Sequence, residues 1–128
     1  MQQSAIQSRQ GVAFLPDSQG NVPIWGSSLT ASTTVAALTN GIASHALDFD
    51  DTHTDSIAHG SAVLTPIAFA LGESIGASSQ DILTAWVIGW EVAARVGLAS
   101  HSGYFISGRF HATAIAGILV QQLVPLHY

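Results

Sequence analysis

At 128 residues with 48% apolar side chains, the chain has the size and apolar content of one domain with its own core. Only 9% of residues are charged, where a soluble domain carries about a quarter, and lysine is absent, so that three arginines face eight acids for a formal net charge of −5. This balance argues against nucleic acid as a partner, and the lack of cysteine excludes disulfides and thiolate metal sites while leaving the compartment open.

The first ten residues, MQQSAIQSRQ, do not read as a signal peptide, so the cytoplasm is the default location. No uninterrupted apolar run reaches the roughly 18 to 20 residues of a membrane helix. The nearest stretch, Ile82 to Ala99, contains Glu91 and Arg95, which are costly in lipid, and no membrane association is expected.

In chain order, Gly11 to Ser32 is rich in Gly, Pro, Ser and Asn. It carries two short apolar runs, Val12 to Leu15 and Val22 to Trp25, and reads as a loose hairpin or ordered loop. Ser32 and Thr33 are good N-caps for the small-residue run VAALTNGIASHAL, which predicts a helix, although Asn40-Gly41 is a turn signal against it. Thr65-Pro66 offers a cap and a proline at the first helical position, predicting a second helix through IAFALGESIGA to about Gly76. Ser78 and Asp81 have capping-box spacing ahead of a third helix, from about Gln80 to Ala99. On it Thr84, Glu91 and Arg95 share a narrow stripe, and Ile82, Trp86, Val87, Trp90, Val92 and Val96 cover the other faces, as on a helix surrounded by others. A loop from Ser100 to Arg109 then leads to His111 and a final apolar segment, ATAIAGILVQQLV, a fourth helix stopped by Pro125. The fold class is all-α with an irregular N-terminal segment. Nothing divides residues 1–128 into two domains, and helices so apolar read as part of something larger.

The most unusual segment is HALDFDDTHTDSIAH, which holds His45, Asp48, Asp50, Asp51, His53, Asp55 and His59 in an otherwise charge-poor chain. His45, Asp48, Thr52, Asp55 and His59 are spaced three, four, three and four apart and would share one face of a continuous helix. Three readings are open. The cluster is a solvated loop in which an aspartate caps a neighbouring helix. Alternatively, it is a metal site, because imidazole and carboxylate together suit zinc, manganese or iron, as in a metal-binding helical hydrolase. Or a carboxylate, a hydroxyl and an imidazole handle protons on a bound substrate.

The string NGIASHALDFDDTH is followed by HGSAVLTP, by GASSQDILTA and by Arg109-Phe110-His111. In this order, from about Val22 to Gly117, the motifs resemble the MmgE/PrpD family, which includes 2-methylcitrate dehydratase, cis-aconitate decarboxylase and an iminodisuccinate epimerase. The resemblance implies a large all-helical domain with a smaller α/β lid supplied by a later part of the chain, of which this sequence matches only part of the helical domain. It further implies lyase chemistry on small polycarboxylates, as in the propionate-linked 2-methylcitrate reaction, with no cofactor and no obligatory metal. In that chemistry a proton moves beside a carboxylate and water or carbon dioxide leaves, dehydration being the expected version.

By the same resemblance, Asp48, Thr52, His59 and His111 line the active site. His59 is then a proton donor or acceptor, His111 a second acid/base or a carboxylate contact, and Asp48 with Thr52 orienting groups. His45 and His53 are read as ordinary histidines, Asp51 as a helix cap, Asp50 as solvated, and Glu91 with Arg95 as a structural ion pair. Trp86 and Trp90 are read as core. Family members are several times longer, and their catalytic lysines lie beyond this region. Both ends therefore read as truncated, and the chain alone is expected to be inactive. It is also expected to self-associate, as a homodimer or through exposed apolar helix faces. A non-catalytic helical interaction remnant is the reading from a different class.

Overall fold

The computed structural model describes residues 17–107 together with Gln7, Gly11, Leu15 and Thr113. A two-stranded antiparallel hairpin, β1 (Val22–Pro23) and β2 (Thr30–Ala31), precedes three helices: α1 (Thr33–His45), α2 (Gly60–Ile75) and α3 (Ser79–Ser107). The described chain is mostly helical, in agreement with the all-α expectation.

The hairpin pairs Val22 with Ala31 and Pro23 with Thr30. The sequence reads the apolar runs Val12 to Leu15 and Val22 to Trp25 as a loose hairpin or an ordered loop. The second of these pairs forward instead, turning through Gly26 at φ 68°, while Val12 to Phe14 lie outside the described residues. Val22, Ile24 and Ala31 bury against Val35 and Ala36 of α1 and Ala70 of α2, so this small sheet closes one end of the helix pair. Trp25 meets Phe69 of α2 edge-on, with ring centroids 6.1 Å apart.

Ser32 caps α1, its hydroxyl accepting from the Val35 amide. The helix continues through Asn40-Gly41 because tertiary contacts use both residues. Asn40 is 2% exposed, and its Nδ2 donates to the Pro23 carbonyl at 3.1 Å while its Oδ1 accepts from the Trp25 amide at 3.0 Å. A Cβ on Gly41 would stand 3.3 Å from the Ala62 carbonyl oxygen and 3.5 Å from the Pro66 ring, so glycine lets α1 and α2 approach closely.

The second helix begins at Gly60, not at Pro66, and Pro66 is buried inside it. Proline lacks the N–H that would bond the Ala62 carbonyl. That carbonyl stands at the contact with Gly41 of α1, where packing between the two helices offsets the lost bond. Its C-terminus is as expected, with Gly76 left-handed at φ 68° and the Ala77 amide bonded to the Gly72 carbonyl.

The Ser78–Asp81 box forms as expected. The Ser78 hydroxyl donates to Asp81 Oδ2 at 2.6 Å, and the Asp81 amide returns a bond to Ser78 Oγ at 3.2 Å. The third helix then runs past the expected end near Ala99 to Ser107. No proline interrupts residues 100–107, and a single glycine costs only about 1 kcal/mol against one backbone bond gained per added residue. The expected fourth helix lies outside the described residues except for Thr113, which is helical.

Trp86 and Trp90 of α3 pack with Val92 against buried Leu64 and Ala93, as the core reading expects. Each indole N–H also has a partner on α2, Thr65 Oγ1 at 3.0 Å and Ser61 Oγ at 3.3 Å respectively. The opposite face of α3 is not covered by other described elements, and Leu83, Val87, Ile88 and Leu98 are exposed there, as are Leu38 and Ile42 on α1. The stretch Ser79–Ser100 is long and apolar enough to cross a membrane by length and composition. It contains Ile82 to Ala99, which the sequence offers as the nearest apolar stretch. Glu91 and Arg95 break that run on the exposed face and pair there, Arg95 Nε donating to Glu91 Oε1 at 2.8 Å.

Candidate active site

The loop between α1 and α2 carries the polar cluster and is not helical, so the three-and-four spacing does not act through a shared helix face. The loop instead folds back on itself. The Asp48 amide closes a turn onto the His45 carbonyl, and His53 bridges to Ala58 with the His53 amide 3.0 Å from the Ala58 carbonyl. Asp48 and Ile57 adopt left-handed φ values of 51° and 52°. For a β-branched residue such as Ile57 that conformation is strained, and such strain persists only where the surroundings over-determine it.

Those surroundings are supplied mainly by α3. Ser56 is fully buried, and a Cβ on Gly97 would stand 2.5 Å from the Ser56 Cβ. A Cβ on Gly60 would stand 2.6 Å from the Trp90 ring, so α3 seats its backbone and an indole directly on the loop and on the first turn of α2. The His53 ring lies edge-on to Trp90 at 5.9 Å. Its Nδ1 accepts from the Ser56 amide at 3.3 Å and lies 2.9 Å from the Ser56 hydroxyl. These contacts make His53 a lock for the turn, in keeping with its reading as a structural histidine.

The opposite side of the loop gathers the ionisable groups. His45 ends α1 and His59 immediately precedes α2, so the helix pair brings their rings to 5.2 Å. Asp50 lies between them, its Oδ2 3.0 Å from His45 Nδ1 and its Oδ1 3.6 Å from His59 Nδ1. Only 11% of the Asp50 side chain is exposed, which corrects the expectation that it is solvated. Asp51, as expected, caps a helix: its Oδ1 accepts from the Ser61 amide in the first turn of α2 at 3.1 Å.

Hydrogen-bond chemistry fixes the tautomer of neutral His59. Its Nδ1 lies 3.1 Å from the Asp51 carbonyl, which can only accept, so Nδ1 carries the proton. Thr52 Oγ1, 3.3 Å from the same nitrogen, is a second acceptor. The other nitrogen, Nε2, is left with its lone pair and lies 3.8 Å from Asp48 Oδ1. Asp48 is largely exposed and His59 mostly buried, so this nitrogen sits at the boundary between protein and solvent.

Three of the four residues singled out from sequence, Asp48, Thr52 and His59, therefore come together, and the fourth, His111, lies outside the described residues. Sequence reasoning missed His45 and Asp50, which complete the cluster, although both stand inside the motif that pointed to it. It also missed Thr113, 6% exposed, whose Oγ1 accepts from the His59 amide at 3.0 Å. A contact between residues 54 apart leaves no signal in a single sequence.

The sequence of the MmgE/PrpD N-terminal domain matches the chain over residues 1–124. The chain belongs to this family. Its MmgE/PrpD relatives include the cis-aconitate decarboxylase of Mus musculus, 35% identical over 101 residues that cover 75% of this chain and 20% of that protein. The Homo sapiens cis-aconitate decarboxylase is 33% identical over 101 residues, 75% of this chain and 21% of that protein. The Aspergillus terreus enzyme of the same name is 26% identical over 87 residues, 64% of this chain and 18% of that protein. The chain thus spans about a fifth of the length of the curated relatives it matches. These relatives are lyases, and lyase-family membership is the level at which the functional expectation holds.

Proposed function

We propose that this chain supplies the aspartate, threonine and histidine part of a lyase active site that acts on a small polycarboxylate of the cis-aconitate kind. The observation that carries this reading is the His59 imidazole, tied through Nδ1–H to the Asp51 carbonyl and presenting Nε2 beside Asp48 at the surface of the loop. A ring oriented in this way can take a proton at one defined atom and return it. The names of the relatives weight decarboxylation above the dehydration that the sequence motifs alone put first.

In decarboxylation the bond to a departing carboxylate breaks, its electron pair moves into the adjoining unsaturated system, and a carbon of that system accepts the proton. His59 Nε2 is the proton carrier in this scheme. Once protonated, the ring remains bonded to the Asp51 carbonyl, with Asp50 and Asp48 beside it. Thr52 fixes the ring plane. The substrate carboxylates need cations, and with three arginines and no lysine the chain supplies few, so most of those groups are assigned to the remainder of the longer family proteins. His111 belongs to the same proposal, as a second acid/base or a carboxylate contact.

The test is complementation. This chain is mixed with a separately expressed remainder of a cis-aconitate decarboxylase, and carbon dioxide release from cis-aconitate is followed. Turnover that needs both pieces and falls at least about a hundredfold in His59→Ala, the scale of a lost acid–base group, supports the reading. Folded, associated pieces that remain silent, or turnover indifferent to His59, overturn it.

A further inference from the structure

We infer that His45, Asp48, Asp50 and His59 form a binding site for one zinc-like divalent cation. One donor atom from each of these four side chains lies within 4.8 Å of all the others. Zinc held by imidazole and carboxylate at about 2.1 Å in a tetrahedron needs donors about 3.4 Å apart. The separations already present bracket that spacing: 3.0 Å between His45 Nδ1 and Asp50 Oδ2, and 3.8 Å between His59 Nε2 and Asp48 Oδ1. Asp48 is 77% exposed and so is the arm free to swing inward.

Two further features favour a cation. A metal-binding histidine ordinarily donates its second ring N–H to a carbonyl or carboxylate, which fixes the ring and strengthens the free nitrogen as a donor. His59 has this arrangement through the Asp51 carbonyl. Second, among the described residues the ion-pair partners of Asp48 and Asp50 are imidazoles alone, while Arg95 is engaged with Glu91 on α3. Two carboxylates with no guanidinium partner among the described residues, in a chain of net charge −5, favour a divalent ion. The two imidazoles select zinc over magnesium or calcium, which prefer oxygen donors alone.

The cluster is the one assigned lyase chemistry above, and the consequence for turnover rests on that reading: an ion held at His59 Nε2 occupies the lone pair that would accept a proton, so zinc acts as an inhibitor. The binding itself does not depend on that reading. The experiment is a calorimetric titration of the 128-residue chain with zinc chloride at neutral pH, with circular dichroism to confirm that each variant is folded. The expected result is one saturable site per chain that survives a large excess of magnesium. Asp48→Asn and Asp50→Asn each weaken it at least about tenfold, the scale of disturbing a metal's surroundings. Glu91→Gln, on the exposed face of α3, leaves it unchanged. Asp48→Asn removes only an exposed carboxylate and keeps a residue that tolerates the left-handed backbone, so it tests the site without threatening the fold. A folded chain with no saturable heat, an affinity untouched by both substitutions, or displacement by magnesium overturns the proposal. No substrate is present in this assay, so its failure and that of the complementation are separate results.

Discussion

Asp51 serves two groups at once: its carboxylate oxygen accepts from the Ser61 amide at 3.1 Å, and its carbonyl accepts from His59 Nδ1 at the same distance. One residue thereby caps the start of α2 and sets the orientation of the ring beside it.

Replacing that carboxylate separates the two duties. Asp51→Ala is expected to destabilise the chain by about 1 kcal/mol, the usual value of a helix cap, and Asp51→Asn to recover most of it. The backbone carbonyl remains in both variants. Chemical denaturation measures the first effect, and the His59 ring signals in an NMR spectrum should keep their tautomer pattern in both.

Asn40→Ala removes an amide that is 2% exposed and leaves both the Trp25 N–H and the Pro23 carbonyl without it. With two backbone groups stranded at roughly 1 to 3 kcal/mol each, the loss should exceed the few tenths that alanine gains in helix propensity. A midpoint in urea equal to or above that of the parent would contradict the bridging role given to this side chain.

Gly97→Ala should destabilise although alanine is the better helix former by about 1 kcal/mol. The added methyl meets the Ser56 Cβ at 2.5 Å and the Ser56 carbonyl at 3.2 Å, and overpacking of this kind costs about 1 to 3 kcal/mol. Thermal unfolding of the single variant decides the sign.

At Asp48 the backbone matters more than the side chain for stability. With φ at 51°, Asp48→Val forces a β-branched residue into the left-handed region and should cost at least about 1 to 2 kcal/mol, whereas Asp48→Asn should stay within about 0.5 kcal/mol of the parent. Equal stabilities for the two variants would show that the loop relaxes out of this conformation.

Much of the architecture was legible because local chemistry and tertiary structure agree there. Ser32, Gly76 and the Ser78–Asp81 pair end or begin helices where their side chains or backbone freedom direct. Pro66 misled because proline at a first turn and proline tolerated inside a helix look alike in sequence, and the difference is a neighbouring helix approaching through Gly41. Asn40-Gly41 was ambiguous for the same reason, its turn signal being overridden by two hydrogen bonds to the hairpin. At the candidate site the motif located Asp48, Thr52 and His59, while the loop geometry that adds His45 and Asp50 was hidden behind an apparent helical spacing. The Ser79–Ser100 stretch is legible in sequence as the apolar run Ile82 to Ala99, which Glu91 and Arg95, satisfying each other, interrupt.

The two imidazoles 5.2 Å apart stand at the end of one helix and the threshold of the next, and those helices meet backbone to side chain at Gly41 and Pro66. Their separation is therefore a gauge of helix docking, not of loop mobility. Ring proton resonances of His45 and His59 would stay mutually shifted while the loop breathes and would collapse together once α1 parts from α2. This gives the chain an intrinsic spectroscopic marker of its own assembly.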